Sequence, residues 1–151
     1  MESNLKIIET NPTISLDEIL AVEDRLSVRF PDQYRDFLLR YNGGKVYYNS
    51  FDRYLENGDT VNYSIDYLES LQTLEQAMVN LIEYEDFVNA MIIPVAQTLG
   101  STLITIGIGD SNFGQVFVFD WDFGATFQAQ SFQEFIRQIK YDPDGESYPL
   151  F

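Results

Sequence analysis

Carboxylates are the main side chains in this sequence that could carry acid–base or metal chemistry, because the chain contains no histidine and no cysteine. Their absence removes Ser-His and Cys-His nucleophiles, haem sites with a histidine or cysteine ligand, and nearly all zinc sites. Two carboxylate pairs, Asp120 with Asp122 and Glu83 with Asp86, have spacings that a glycoside hydrolase could use for its acid and base. The same spacing is equally typical of a solvated acidic face. We therefore expect no enzyme and no catalytic residue.

A glycine-rich segment, residues 107–114, is the other candidate for chemistry. It lacks the Lys-Ser/Thr of a phosphate-binding loop, and it leads into a predicted strand where a helix N-terminus would be needed. Its spacing approaches a calcium loop, but Gly114 falls one residue early and Trp121 stands where a glutamate is required. A similar pattern at residues 142–146 is also incomplete. We predict a hairpin loop at 109–114, with no cofactor and no metal.

Acidic residues are concentrated in the middle of the chain. The 151 residues carry a formal net charge of −15, yet residues 54–136 contain twelve Asp and Glu and no Lys or Arg. Such a block repels nucleic-acid phosphates and acidic membrane surfaces, and it attracts basic proteins. Acidic surfaces also keep proteins soluble, and this simpler interpretation stays open. The expected partner is a basic protein, with neither nucleic acid nor membrane bound.

Three groups of residues in this block are predicted to form a partner-binding surface: the tip of the 109–114 loop, one face of the strand that follows it, and an earlier acidic segment. If neighbouring strands bring the carboxylates into line, they would resemble a row of phosphates to a basic protein. The candidate residues are Glu56, Asp59, Asp66, Glu69, Asp110, Phe113, Asp120 and Asp122. Further aromatic anchors could come from Tyr47, Tyr48 and Tyr63.

The chain has the size of a single domain, residues 1–151, with its core predicted at roughly 14–140. Its hydrophobic content of 45% and aromatic content of 15% are typical of a folded protein and not of disorder. The N-terminus has no basic region leading into an apolar core, and no apolar run approaches the roughly 18 residues of a membrane span. We expect a cytoplasmic protein that is a monomer or a weak dimer.

Three Ser/Thr-x-x-Glu/Gln motifs predict helices that begin after Ser15, Thr73 and Ser131. Strands are predicted over residues 46–51, 60–65, 91–96, 102–108 and 115–122, and Pro94 argues for an edge or a strand end. The first helix is predicted to present an apolar stripe formed by Leu16, Ile19, Leu20, Val22 and Leu26. The order of elements predicts an α+β fold, a mainly antiparallel twisted sheet with about four helices packed on one side and at its ends.

Local signals predict both the beginning and the end of one further helix, which follows Phe30. A proline suits the first helical turn, aromatic residues then recur at helical spacing, and an Asn-Gly-Gly sequence tolerates the left-handed backbone that ends a helix. The residues that define it are Pro31, Tyr34, Phe37, Leu38, Asn42, Gly43 and Gly44. Its aromatic face is predicted to lie in the core, so this stretch indicates a fold and not a reactive site.

This stretch resembles the signature of the SMI1/KNR4 family, in the SUKH superfamily, and the order of elements over roughly residues 14–140 is similar to that family's pattern. The resemblance implies an immunity protein, since bacterial members of the superfamily sit beside a secreted or contact-delivered toxin, often a nuclease, and block it in the producing cell. A regulatory scaffold, as in fungal members, is the alternative. A small-ligand-binding domain also stays open, because a deep pocket with converging polar groups would support one.

Overall fold

The computed structural model describes residues 7–47 and 49–140. Tyr48, the 142–146 pattern and the ends of the predicted single domain lie outside these residues. Five helices are described: α1 (Leu16–Leu26), α2 (Asp32–Arg40), α3 (Leu71–Leu81), α4 (Glu85–Asn89) and α5 (Phe132–Gln138). Eight strands are described: β1 (Ile7–Glu9), β2 (Lys45–Val46), β3 (Ser50–Tyr54), β4 (Thr60–Leu68), β5 (Ile92–Thr98), β6 (Leu103–Gly107), β7 (Val116–Asp120) and β8 (Gly124–Ala129). In the described part, no helix has the length and apolar character needed to cross a membrane.

Six strands form one antiparallel sheet in which each strand pairs with the next along the chain, from β3 to β8. A second, two-stranded sheet joins β1 to β2. The α+β class and the mainly antiparallel sheet predicted from the sequence are therefore confirmed. The predicted hairpin loop at 109–114 is confirmed as well, since β6 and β7 pair on either side of it. The sequence did not predict α4 or β8.

Pro94, expected at an edge or at a strand end, lies in an interior strand of the sheet, near the start of that strand. Pro94 lies in β5, which pairs with β4 on one side and β6 on the other. A proline has no N–H to donate to a neighbouring strand, and the β5–β6 register shifts between Pro94 and Ala96. The β4–β5 pairing runs only from Thr98 to Ala96, so Pro94 has a paired residue in β6, Thr105, and none in β4. The side chains of β5 and β6 are buried almost throughout, so both faces of the sheet are covered at its centre.

Helix caps explain where three helices begin. Ser15 and Glu18 form the predicted capping box at the start of α1, and Ser131 caps α5 through the backbone N–H of Glu134. The start of α3 differs from the prediction, because Ser70 is the capping residue and Thr73 returns the second bond of the box. The helix therefore begins at Leu71, ahead of the predicted Thr73 cap.

The aromatic face of α2 lies in the core, as predicted, and Pro31 precedes its first residue as the N-cap. Tyr34, Phe37 and Leu38 are buried, and Phe132 of α5 packs edge-on against both aromatic rings at centroid distances of 5.4 and 5.1 Å. Burial, with the nearby charge of Glu69, raises the pKa of the Tyr34 hydroxyl well above its ordinary value. Tyr34 thus acts as a neutral core side chain.

The Asn-Gly-Gly sequence after α2 ties three parts of the chain together. Asn42, Gly43 and Gly44 all have positive φ angles, of 49°, 78° and 125°. The Asn42 side chain accepts a hydrogen bond from the Leu71 N–H at the start of α3 and donates one to the Pro12 carbonyl. It therefore satisfies one of the free N–H groups of the α3 N-terminus while it holds the segment before α1.

The two outer strands of the sheet approach each other. Ser50 of β3 exchanges two backbone hydrogen bonds with Lys140, just after α5, and the Gln128 side chain of β8 donates to the Asp52 carbonyl at 3.0 Å. Hydrogen bonds from Asn62 and from Lys140 lower the pKa of the Asp52 carboxyl. The two outer strands are thus in contact, which requires the sheet to curl.

Candidate partner-binding surface

Three hairpin turns close at the same end of the sheet, because alternate turns of an antiparallel meander lie at the same end. They are residues 55–59, 99–102 and 121–123, whereas the β6–β7 loop, residues 108–115, lies at the opposite end. Four exposed large apolar side chains lie at the first end, including the two most exposed among the residues that the structure describes, Phe123 at 85% and Tyr54 at 76%. We call this end the hairpin-end surface, formed by Tyr54, Glu56, Asp59, Leu99, Trp121, Asp122 and Phe123.

The structure brings some of the predicted binding residues to this surface and leaves others elsewhere. Glu56, Asp59 and Asp122 are exposed in two of its turns. Asp110 and Phe113, which are also exposed, lie in the β6–β7 loop at the opposite end of the sheet. The predicted set is therefore divided between the two ends of the sheet, and we leave Asp110 and Phe113 out of the hairpin-end surface.

Two predicted residues of β4 and its end are engaged within the fold. The Asp66 carboxylate accepts a hydrogen bond from the Lys45 ammonium at 3.3 Å, and both side chains are partly exposed. Glu69 is only 2% exposed, and its carboxylate accepts a hydrogen bond from the Gln97 side chain at 2.9 Å. A buried side chain cannot meet a partner without local rearrangement, so we leave Glu69 out of the surface.

Asp120 shapes the turn that carries the aromatic part of the surface. Its carboxylate accepts hydrogen bonds from the backbone N–H groups of Asp122, at 2.7 Å, and Phe123, at 3.1 Å. Gly124 then has a φ of 83°, which lets the chain re-enter the sheet opposite Asp120. Asp120, predicted from the sequence as a contact residue, thus has a structural role as well.

This role predicts different effects for two substitutions at Asp120. We expect Asp120→Ala to lower the free energy of unfolding by about 1 kcal/mol, since two N–H groups lose their acceptor. Asp120→Asn keeps an acceptor oxygen and should cost clearly less. Urea unfolding of both variants measures the difference, and equal losses would show that the carboxylate does not hold the turn.

Four aromatic rings connect the hairpin-end surface with the core. Tyr84, in the turn between α3 and α4, contacts Trp121 at a centroid distance of 5.1 Å, and Trp121 contacts Phe119 at 5.1 Å. Phe119 in turn contacts Phe87 of α4 at 5.3 Å. Tyr84 and Trp121 are 53% and 43% exposed, whereas Phe87 and Phe119 are each 1% exposed. We call these four residues the aromatic ladder.

The aromatic members of this surface were not predicted from the sequence. Trp121 was considered only as a position of the calcium-loop pattern, and Tyr84, Phe123 and Tyr54 were assigned no role. A usable signal was present, since Trp121 is the only tryptophan and stands between two aspartates. The contact with Tyr84 could not be read from the sequence, because the two residues belong to distant elements.

The charged residues that neighbour the aromatic ladder in the sequence are all acidic. Glu83, Glu85 and Asp86 flank Tyr84 and are exposed, as is Asp122 beside Trp121. The nearest basic residue before the anionic block is Arg53, whose guanidinium carbon lies 6.0 Å from the centroid of the Tyr63 ring. The surface therefore combines exposed large apolar side chains with exposed carboxylates.

Other features of the described residues do not favour a catalytic site. A groove of about 650 Å³ runs between the end of α1 and helices α3 and α4, and its lining is mainly apolar. The carboxylate of Glu23 in its wall is already bonded to the Phe30 N–H and to Arg35. Within residues 7–47 and 49–140, no group of three or more acidic residues could hold a metal ion.

The β6–β7 loop is held by its own side chains. Asn112 accepts a hydrogen bond from the Gly109 N–H at 2.8 Å and donates to the carbonyls of Ala90 and Met91. A Cβ atom at Gly107 would lie 2.1 Å from the Asn112 carbonyl oxygen, so the glycine there permits a close backbone approach. The glycines of this segment thus serve the hairpin loop.

Comparison with known proteins adds one match. The family model described as SMI1 / KNR4 family (SUKH-1) matches residues 13–138. The matched range contains the five described helices, strands β2 to β8 and the hairpin-end surface, and it leaves out only β1 among the described strands. No curated protein sequence matches the chain.

Proposed function

The chain belongs to the SMI1/KNR4 family (SUKH-1), and we propose that it is an immunity protein that binds and neutralises a cognate toxin delivered by secretion or contact. It would act without catalysis, in the cytoplasm of the cell that it protects. The toxin is a basic protein, for which a nuclease is the leading candidate, because an enzyme that binds nucleic acid carries positive charge where its substrate lies.

The observation that carries this proposal is the hairpin-end surface. Its exposed aromatic and aliphatic side chains lie among exposed carboxylates, within a block of 83 residues that has no Lys or Arg. Protein interfaces are enriched in such aromatic residues, and acidic groups would complement a basic cleft. A solvated surface that only maintained solubility would not need to expose Phe123 and Tyr54 so fully.

The proposed mechanism is one-to-one binding that covers the toxin's substrate cleft or a neighbouring face. Long-range attraction between the acidic block and the basic toxin would steer the encounter, and the apolar side chains would then exclude water at the contact. No bond is made or broken, so neutralisation would last only as long as the complex.

A rescue experiment tests this class of function. The toxin candidate encoded beside this chain is expressed in a host cell alone and together with the chain, and survival is compared. We expect the toxin to be lethal alone and harmless with the chain. If the chain rescues cells from no neighbouring toxin, the alternative of a regulatory scaffold would be favoured.

Electrostatic steering predicts how binding depends on salt. For the toxin identified by rescue, we expect the association rate constant to fall by about tenfold or more from low to high ionic strength, because salt screens the acidic field. The dissociation rate should change much less. Stopped-flow measurements over a salt series test this, and an association rate that does not respond to salt would contradict steering.

A further inference from the structure

We infer that the Tyr84–Trp121 pair, together with Phe123 in the turn that Trp121 begins, anchors the complex by receiving an arginine or lysine side chain of a basic protein partner. The inference rests on the proposed function only in taking the partner to be a basic protein. It adds that Trp121 and Phe123 of the hairpin-end surface, with Tyr84 beside them, supply most of the binding energy, and it adds what kind of side chain meets them.

The aromatic ladder makes the exposed pair rigid before any partner binds. Trp121 meets Phe119 edge-on, with an angle of 89° between the rings, and Phe119 meets Phe87 at 84°. Because Phe119 and Phe87 are buried, the tryptophan ring is fixed from below. A side chain that is already ordered loses little conformational entropy on binding, which favours it as an anchor.

The backbone under the pair is also fixed. The Asp120 carboxylate holds the N–H groups of Asp122 and Phe123, so the turn that presents Trp121 and Phe123 is closed by its own hydrogen bonds. Phe123 nevertheless remains 85% exposed. A large apolar ring held in water by a fixed turn has an unfavourable environment that a partner would relieve.

The acidic residues near the ring pair favour a basic side chain as the group that the anchor binds. Glu83, Glu85, Asp86 and Asp122 are exposed next to the ring pair in the sequence, and no basic residue occurs between residues 54 and 136. An arginine or lysine can lay its apolar stem along an aromatic ring while its charged end meets carboxylates. An acidic or purely apolar partner would leave these carboxylates repelled or desolvated without compensation.

The sole tryptophan provides a probe located in the anchor itself. Replacing it with fluorotryptophan gives one fluorine NMR signal, from position 121. An arginine-rich peptide, its lysine counterpart and a glutamate-rich peptide are then titrated at low salt. We expect a saturable shift with arginine, a smaller one with lysine because its ammonium stacks less well, and none with glutamate.

Matched variants separate the anchor from general acidity. We expect Tyr84→Ala to weaken binding of the arginine-rich peptide about fivefold or more by calorimetry. Phe113→Ala is the control, because Phe113 is also an exposed aromatic residue, at 44% against 53% for Tyr84, and lies in the loop at the opposite end of the sheet from the hairpin-end surface. It should bind as the parent protein does. Circular dichroism of both variants confirms that the fold is intact.

The anchor is overturned if the peptide does not bind, if it binds without moving the Trp121 signal, or if Phe113→Ala weakens binding as much as Tyr84→Ala does. None of these outcomes depends on the toxin. If the protein binds the peptide through Trp121 but rescues no toxin-producing cell, the anchor is supported and the proposed immunity function is contradicted. If the protein rescues cells but the Trp121 signal does not shift with the peptide, the immunity function is supported and the anchor is contradicted.

Discussion

Replacing Gly44 with alanine is expected to lower the free energy of unfolding by about 3 kcal/mol or more. Gly44 has a φ of 125°, and a Cβ atom there would lie 1.9 Å from the Glu9 carbonyl oxygen. The backbone cannot move away easily, because Gly44 also exchanges two hydrogen bonds with Leu68, at 3.0 and 2.8 Å. An alanine would therefore separate β1 from β2 or break the contact with β4. Urea unfolding measures the loss.

Gly58 offers a matched control for this substitution. It has a φ of 92° in the β3–β4 turn, and a Cβ atom there would meet no other atom within 4 Å. Gly58→Ala should thus incur only the strain of the left-handed backbone, about 1 kcal/mol. Equal losses at the two glycines would mean that the close approach of Glu9 to Gly44 does not constrain the fold.

The parts of the fold that were predicted correctly depend on local chemistry. The helix α2 carries its proline start, its aromatic spacing and its Asn-Gly-Gly end within fifteen residues, 30–44. Each appears in the structure, although Pro31 is the N-cap and not part of the first helical turn. The capping motifs at Ser15 and Ser131 also depend on neighbours in the sequence. Such signals survive because their partners are only a few residues away.

Predictions failed where distant residues decided the outcome. Leu16 and Leu20 of the expected α1 stripe are 46% and 41% exposed, and Glu23 is buried in their place. Periodicity could not predict this, because the groups that make a buried glutamate tolerable, the Phe30 N–H and the Arg35 guanidinium, come from the segment before α2 and from α2 itself. In the same way, the sequence around Pro94 could not show that its strand lies in the interior of the sheet, because that depends on the strand order.

The candidate surface was only partly predictable for a similar reason. The sequence showed that residues 54–136 are acidic, and Glu56, Asp59 and Asp122 do reach one end of the sheet. Which turns share an end depends on the strand order, and the order depended on β8, whose Gly-Ala-Thr-Phe-Gln-Ala sequence has few strong strand formers. Without β8, the turn at residues 121–123 and its exposed rings could not be placed.

Removing Glu23 is expected to cost about 3 to 5 kcal/mol, because its partners would stay buried without it. The Glu23 carboxylate, in the last turns of α1, accepts a hydrogen bond from the Phe30 N–H at 2.7 Å and pairs with the Arg35 guanidinium at 2.9 Å. Both side chains of the ion pair are largely shielded, with exposures of 8% and 20%. Glu23→Ala would leave the Phe30 N–H without its acceptor and the Arg35 guanidinium with Asp32, an exposed carboxylate at 3.5 Å, as its remaining ion-pair partner.

Two further variants show which of these losses dominates. Glu23→Gln keeps an oxygen that can accept a hydrogen bond from the Phe30 N–H but removes the charge. It should lower the free energy of unfolding less than Glu23→Ala does, and its remaining loss measures the contribution of the ion pair with Arg35. Asp24→Ala removes an exposed carboxylate from the adjacent position and should change the free energy of unfolding by less than about 0.5 kcal/mol. If Glu23→Ala resembled Asp24→Ala, the link between α1 and α2 would have to rest on apolar packing alone.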